Sequence, residues 1–421
     1  MEIFEQNEFI INGKGKIIYD HYQADIDFQI EYYPNNVLLK TSKVDKGILF
    51  AFNYGKFEGI ISDTNQKVKC KSICLTKHEK YKLIFVLLED LVIGDIKNCQ
   101  SFKARLFGLT FDLKEFKVGK YIVSTKRLEN TENVPTLIRK FGGNFETSEM
   151  SLEKFESDTI SKENTIETSK EICLLLSFIL SKKISFNRCE FSDGNNQFQK
   201  IIRIKENNNS SGESFLFDNN IEDILSTLYD NYKNLSPNEQ KCLFTAVEYL
   251  NSTSQKYLED SILSIAQVWE ILSDTFLLEK VHNTNSIKIL RDSLKSTIKD
   301  WHQVNSVKDY DLNFIQTRVL GSLDWEKVIR KLEKLSDKEN LDLQKIKLNF
   351  KELIILRNQI THTGRFKEIG KETEHLETYS SATLGIKILI LKKLGYSGSI
   401  TFYSGGIPNK QNIDYYIKNS V

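Results

Sequence analysis

The sequence predicts an α+β protein of several domains, in which an N-terminal antiparallel β-sandwich or barrel precedes a C-terminal all-helical bundle. Up to about residue 125, short apolar runs are separated by glycines, and no helical pattern lies between them. After about residue 255, apolar residues recur at the three- and four-residue spacing of helices. A chain of 421 residues is also too long for a single core. We therefore divide it into a β-rich segment (1–125), a mixed connecting segment (126–254) and a helical segment (255–421).

The β-rich segment shows the two-residue period of a half-buried strand most clearly between Asp25 and Tyr32, where polar and apolar residues alternate. A turn follows at Tyr33-Pro34-Asn35-Asn36. Five further apolar runs predict more strands: Ile48–Tyr54, Phe57–Ile61, Val68–Leu75, Leu83–Ile93 and Ala104–Leu113. Strand order does not follow from these local patterns.

One group in this segment has the residue types of a metal site. Cys70, Cys74 and His78 lie four residues apart, which on a helix would bring them together. The local alternation is that of a strand, however, and four residues of strand span about 13 Å. Ligands of a shared zinc lie about 2 Å from the metal, so we expect small inward-facing residues here and no metal.

The connecting segment mixes both kinds of element. We predict a helix near Ile172–Leu180 and a hairpin that pairs Ser185–Phe191 with Phe198–Ile204. Ser236-Pro237-Asn238-Glu239 combines a capping serine, a proline at the first helical position and a capping-box glutamate. These residues predict the start of a helix that runs to about Leu250.

The helical segment carries amphipathic patterns almost throughout. The expected helices cover Tyr257–Leu278, Ile287–Trp301, Asp324–Leu335, Asp342–Thr361 and Thr373–Leu394. Gly364 ends the fourth of these, because glycine best tolerates a left-handed cap. The aromatic tail from Ser397 onward is expected to form a strand or to pack on the bundle.

Composition excludes several classes of protein. The formal net charge is +1, so no global field indicates a nucleic-acid or membrane partner. No apolar leader and no membrane-spanning stretch is evident, which predicts a cytoplasmic protein. Six scattered cysteines are then expected to be free thiols, and we expect no cofactor.

The strongest chemical signal is Leu356-Arg357-Asn358-Gln359-Ile360-Thr361-His362-Thr363-Gly364. On a helix, Asn358 and His362 lie within about 40° of one another, whereas Arg357 is about 140° from His362. The two can meet at one atom only if the helix loosens at Thr361–Gly364 or if a second chain supplies the facing residues.

These residue types suit metal-independent cleavage of an RNA phosphodiester. Imidazole gains and loses protons near neutral pH, and so can act on the 2′-hydroxyl or on the leaving oxygen. Guanidinium clamps phosphate in bidentate fashion and stabilises developing charge. The alternative is that Arg357 and His362 only cap a helix end, since an Arg-x4-His pattern arises easily by chance.

The stretch Ile355–Gly364 resembles the signature of HEPN domains, an arginine followed after four to six residues by a histidine. The residues Tyr257–Asp260 and Ala266–Leu272 are similar to the earlier helix of the ApeA-like branch of that family. In that branch a β-rich domain precedes the helical one, and Phe57–Gly59 and Leu106–Phe111 resemble its strands.

The resemblance implies a homodimeric, metal-independent endoribonuclease of anti-phage abortive defence. Arg357 and His362 would be catalytic, Asn358 supporting, and Glu270 a candidate for orienting Arg357. The substrate would be RNA, with tRNA one candidate, and the N-terminal domain would sense a phage-derived trigger. Two alternatives stay open. One is a non-catalytic HEPN dimerisation or binding protein. The other is a ligand-binding β-sandwich on a helical scaffold, with a face of strand tyrosines: Tyr19, Tyr22, Tyr32, Tyr33 and Tyr54.

Overall fold

A computed structural model gives two compact units, Met1–Tyr232 and Lys233–Val421, which are described separately. The residues that the structure describes are 9–19, 22–33, 36–41, 54–79, 82–96, 99–128, 145–154, 161–194, 198–202, 216, 220–253, 256–277, 285–305, 312, 315, 328–367, 370–404 and 407–418. Of the predicted strand at Ile48–Tyr54, all but Tyr54 lies outside these ranges.

The first unit begins with a closed antiparallel barrel. Its six strands are β1 (Phe9–Tyr19), β2 (Tyr22–Tyr33), β3 (Asn36–Thr41), β4 (Tyr54–Ile61), β5 (Lys67–Glu79) and β6 (Lys82–Leu87). Their order is β4-β1-β2-β3-β6-β5, and β4 also pairs with β5, which closes the ring. The structure thus decides between the predicted sandwich and barrel in favour of a barrel.

Glycines allow the barrel wall to close tightly around an aromatic core. Phe28 and Phe57 meet edge to face, with ring centroids 4.9 Å apart. A Cβ atom at Gly13 would lie 2.4 Å from the ring of Phe28, and one at Gly59 would lie 2.5 Å from the same ring. Any larger residue at these two positions would displace Phe28.

The sheet continues past the barrel through seven more strands. These are β7 (Leu91–Ile93), β8 (Ser101–Phe107), β9 (Leu113–Val118), β10 (Tyr121–Arg127), β11 (Ser148–Lys154), β12 (Ser185–Ser192) and β13 (Phe198–Ile202). From β5 the order runs β7-β13-β12-β8-β11-β10-β9. The predicted hairpin is confirmed, with Cys189 opposite Ile201. The sheet therefore takes strands from both sides of residue 125. Among the described residues, this part of the chain also forms helices α1 (Lys162–Ile179) and α2 (Ile221–Asn234).

Two predictions about side chains in this unit have clear outcomes. Cys70, Cys74 and His78 all lie on strand β5, as the alternation indicated. The tyrosine face of the ligand-binding alternative does not include Tyr32, which is buried. Its hydroxyl donates to Glu146 at 3.0 Å, because the buried carboxylate of Glu146 needs donors in addition to Arg188, 2.6 Å away.

The second unit is mainly helical. Its elements are α3 (Pro237–Thr253), α4 (Leu258–Phe276), α5 (Asn285–Asn305), α6 (Val328–Lys338), α7 (Leu343–Ile346), α8 (Phe350–Thr363), α9 (Glu372–Lys393), the hairpin β14 (Ser399–Ser404) and β15 (Ile407–Asn412), and a 3₁₀ turn at Ile413–Tyr416. The predicted capping box is confirmed, since the backbone N–H of Ser236 donates to Glu239 at 2.8 Å. The tail forms a strand pair, as expected. No helix within the described ranges is both long enough and apolar enough to cross a bilayer.

The single long helix predicted over Asp342–Thr361 is wrong. Lys347 adopts a left-handed conformation with φ of 60°, which separates α7 from α8. Asn349 then caps α8 by accepting from the backbone N–H groups of Lys351 and Glu352. A polar side chain that satisfies the first free N–H groups makes a new helix start favourable at this point.

Candidate active site

Helix α8 presents one buried and one exposed face near its C-terminus. Leu353, Leu356 and Ile360 are buried, whereas Asn358 and His362 are exposed. The helix stays regular through Thr363, and Gly364 follows with φ of 72°. The backbone N–H of Gly364 donates to the carbonyl of Ile360 at 2.7 Å. Helix α8 therefore does not loosen before Gly364, so Arg357 and His362 stay on different sides of it.

Threonine hydroxyls bond back to main-chain carbonyls in this last turn. Thr361 donates to the carbonyl oxygen of Arg357 at 2.8 Å, and Thr363 donates to that of Gln359 at 2.7 Å. Both hydroxyls thus find partners within the helix, and neither interrupts it before Gly364. His362 lies in this helical turn with its side chain exposed.

Arg357 is held from two sides. Its Nη1 donates to Oδ1 of Asn358 at 3.0 Å, and its Nη2 lies 3.4 Å from Oε1 of Glu270 on helix α4. The latter contact is an ion pair without hydrogen-bond geometry. Oε1 of Glu270 is itself buried and accepts no hydrogen bond within the described part of the chain. About a third of each side chain is exposed, 33% for Arg357 and 29% for Glu270. The structure thus brings together three of the four candidate residues.

Trp269 determines where the neighbouring Glu270 points. It is fully buried, packs edge to face against Phe350 with centroids 4.9 Å apart, and donates from its indole N–H to the carbonyl of Ala382 at 3.1 Å. These contacts fix the rotation of α4 against α8 and α9. Because consecutive helix residues differ by about 100° in direction, Glu270 is set at the edge of α4 that faces Arg357.

His362 is the candidate residue that the structure does not bring to the others. Its side chain is exposed on the same face of α8 as Asn358, one turn away, and it makes no hydrogen bond or ion pair with any residue that the structure describes. Arg357 is turned toward α4. Within one chain, the imidazole and the guanidinium therefore face different directions.

Two further charged residues at this site were not identified from the sequence. Lys331 on α6 contacts the carboxylate of Asp274, one turn beyond Glu270 on α4. Burial lowers the pKa of Lys331, while the carboxylate of Glu270 acts in the opposite direction. The four-residue spacing of Glu270 and Asp274 was visible in the sequence. The packing of α6 against α4 was not, because no local signal encodes it.

Positive charge continues past the helix end. Arg365 follows Gly364 directly, Lys367 comes two residues later, and both are exposed. They lie within a few residues of His362, so an anionic chain that reached the imidazole would also meet these two cations. Among the described residues, no group of three His, Cys, Asp or Glu side chains is placed to hold a metal ion.

Comparisons of the chain with models of protein families, with curated proteins and with solved structures gave no match. What is known of the site therefore rests on its geometry. Each chain offers an oriented guanidinium, an amide that contacts it, and an exposed imidazole in the last turn of a regular helix. These are residue types that can bind phosphate and transfer protons.

Proposed function

We propose that the chain is a metal-independent endoribonuclease whose active site forms between two copies. The observation that carries this proposal is the pairing of an Arg357 guanidinium, oriented by Glu270 and Asn358, with an exposed His362 on the same uninterrupted helix. The resemblance of Ile355–Gly364 to the HEPN signature gives the same function.

The reaction follows from the residue types. The neutral imidazole of one His362 takes the proton of a ribose 2′-hydroxyl, and O2′ attacks the adjacent phosphorus. The protonated His362 of the second chain gives its proton to the departing 5′-oxygen, so that the two proton transfers balance. Arg357 stabilises the charge that develops on the phosphate oxygens. The products are a 2′,3′-cyclic phosphate and a 5′-hydroxyl end.

The exposed face of α8 supports assembly of two copies. Ile355 is 45% exposed, and it shares this face with Asn358 and His362 at spacings of three and seven residues. A two-fold contact through Ile355 would bury an apolar side chain and place two imidazoles on either side of one cleft. Exchange of Ile355 for Glu should abolish both dimerisation, measured by sedimentation, and cleavage.

The first experiment incubates the full chain with RNA in EDTA and analyses the product ends. Wild type should cut RNA but not its 2′-O-methyl analogue, because the nucleophile is then blocked. His362→Ala should lower the rate by about 10²-fold or more, the range typical of a lost general acid or base. His302→Ala on α5 is the matched control and should cut at the wild-type rate.

Two results would refute the proposal that the chain is a metal-independent endoribonuclease. One is cleavage that persists in His362→Ala; the other is cleavage that stops when divalent metal is removed. If RNA binds without being cut, and Arg357→Ala weakens that binding while His362→Ala does not, the same cleft is a binding site only.

We further propose that the barrel-containing unit regulates the nuclease in anti-phage defence. The support is architectural, since a compact β-rich unit precedes the helical one. A nuclease of this kind in the cytoplasm would cut the cell's own RNA, so it must be kept inactive until infection. Wild type should arrest infected bacterial cells, whereas His362→Ala should not. Arrest of uninfected cells by the intact chain at its normal level would contradict the regulatory role.

A further inference from the structure

Four charged side chains alternate in sign where helices α4, α6 and α8 meet. Helix α4 supplies two carboxylates, Glu270 and Asp274, one turn apart on one face. Arg357 lies 3.4 Å from Glu270, and Lys331 contacts Asp274. The carboxylate of Glu270 raises the pKa of Lys331, against the larger effect of burial. Each carboxylate thus has a cation beside it, and the cation that contacts Asp274 lies one helical turn from Glu270.

The proposed reaction disturbs this arrangement. When Arg357 turns its guanidinium toward an RNA phosphate, Oε1 of Glu270 loses the cation beside it. That oxygen is buried and accepts no hydrogen bond within the described residues. A buried charge without a partner is strongly unfavourable. The Glu270 side chain is 29% exposed, so water can reach part of it, but Oε1 itself stays buried. The departure of Arg357 is therefore more favourable when another cation takes its place.

Lys331 has the properties that such a replacement needs. It extends from a neighbouring helix, and its side chain is about one-third exposed, 32%, so it has room to move. Its present partner, Asp274, is 65% exposed and can be solvated by water once the lysine has left. An exposed ion pair of this kind contributes little to stability, so breaking the contact between Lys331 and Asp274 costs little free energy.

We propose that Lys331 is a positioning residue that becomes the counter-ion of Glu270 when Arg357 moves to the phosphate. This rests on the proposed function for its role in turnover, but the charge coupling itself belongs to the free protein. Lys331 does not touch the RNA. It makes Arg357 available by neutralising the carboxylate that otherwise retains it.

The first test is thermal unfolding of the full chain without RNA, in a series of variants. Lys331→Met should lower the Tm by about 2 °C or less in wild type, where Arg357 still neutralises Glu270. In an Arg357→Met background the same change should lower it at least twice as far, because Glu270 is then left without a cation. Adding Glu270→Gln should remove this difference. Arg330→Met, one residue away on α6, should cause the same shift in every background.

A Lys331–Asp274 ion pair with only a structural role predicts a different pattern of Tm shifts. Lys331→Met would then shift the Tm equally with and without Arg357, and that result would overturn the proposal. The unfolding series needs no nuclease activity, so its outcome stands even if the chain cuts no RNA.

The second test measures kcat/KM for RNA cleavage. Lys331→Met should lower it about tenfold and Lys331→Arg much less, while Lys331→Met should have no further effect on Glu270→Gln. Burial lowers the pKa of Lys331, so wild type should lose activity at an alkaline pH where Lys331→Arg does not. Identical alkaline profiles for wild type and Lys331→Arg would contradict the exchange. Absence of cleavage in wild type would instead contradict the nuclease.

Discussion

Changing the side-chain size at Gly385 and at Trp269 tests the packing that positions the site. A Cβ atom at Gly385 would lie 2.9 Å from Cζ2 of Trp269 and 3.2 Å from Cδ2 of Leu348. In wild type, Gly385→Ala should therefore cost about 1–3 kcal/mol in overpacking. Alanine's better helix propensity offsets about 1 kcal/mol of this. The net effect is a destabilisation of up to about 2 kcal/mol.

Trp269→Phe removes the nearest crowding atom, Cζ2 of Trp269, and leaves the less severe approach to Leu348. It also removes the indole N–H that donates to Ala382, at a cost of about 1 kcal/mol, and leaves a cavity that costs about 1–2 kcal/mol more. In this background Gly385→Ala has space for its methyl group and keeps its propensity advantage. It should then stabilise the protein by up to about 1 kcal/mol, so the effect of the substitution changes sign.

Urea denaturation followed by circular dichroism at helical wavelengths measures all four proteins of this cycle. The expected coupling energy between the two substitutions is about 1–3 kcal/mol, within the range found for side chains in contact. Equal effects of Gly385→Ala in wild type and in Trp269→Phe would show that the ring does not lie against the glycine. The account of how Glu270 is directed at Arg357 would then fail.

Three further predictions concern stability. Arg188→Met should destabilise the N-terminal unit by about 3 kcal/mol, because it leaves the carboxylate of Glu146 buried without its cation; a loss below about 1 kcal/mol in urea unfolding would refute this. Ser236→Ala should cost about 1 kcal/mol at neutral pH through the lost cap. The Ser236 hydroxyl also donates to the Glu239 carboxylate, and hydrogen bonds from Ser236 lower the pKa of Glu239. The part of the stabilisation that comes from this carboxylate is therefore complete above the ordinary glutamate pKa and is lost as pH falls through the lowered value; a cost that stays constant in acid would contradict it. Lys347→Gly should stabilise the protein by about 1 kcal/mol, since glycine adopts positive φ without strain, and a lower Tm would disprove it.

Local sequence signals predicted much of the secondary structure. The alternation around Phe28, the hairpin that begins at Ser185 and the capping box at Ser236 all correspond to observed elements. Each depends on residues within a few positions of one another, where periodicity and capping chemistry act. The stretch around Arg357 was likewise recognisable, because its spacing and helical face are local properties.

Long-range features could not be predicted in the same way. The closure of the barrel depends on β4 meeting β5, and the burial of Tyr32 depends on Glu146, 114 residues away. Lys331 reaches the site only because α6 packs beside α4. The helix break at Lys347 was missed for a different reason, since lysine in a left-handed conformation gives no glycine-like signal.

The most direct measurement of the central claim mixes wild type with increasing amounts of His362→Ala at constant total protein, lets the subunits exchange, and assays RNA cleavage in EDTA. If the base and the acid of one cleft are the His362 side chains of two chains, every mixed dimer lacks one of them, and cleavage should fall with the square of the wild-type fraction. His302→Ala mixed with wild type in the same way is the control and should leave cleavage unchanged. Cleavage that falls only in proportion to the wild-type fraction, in mixtures that exchange subunits, would contradict an active site completed by its copy.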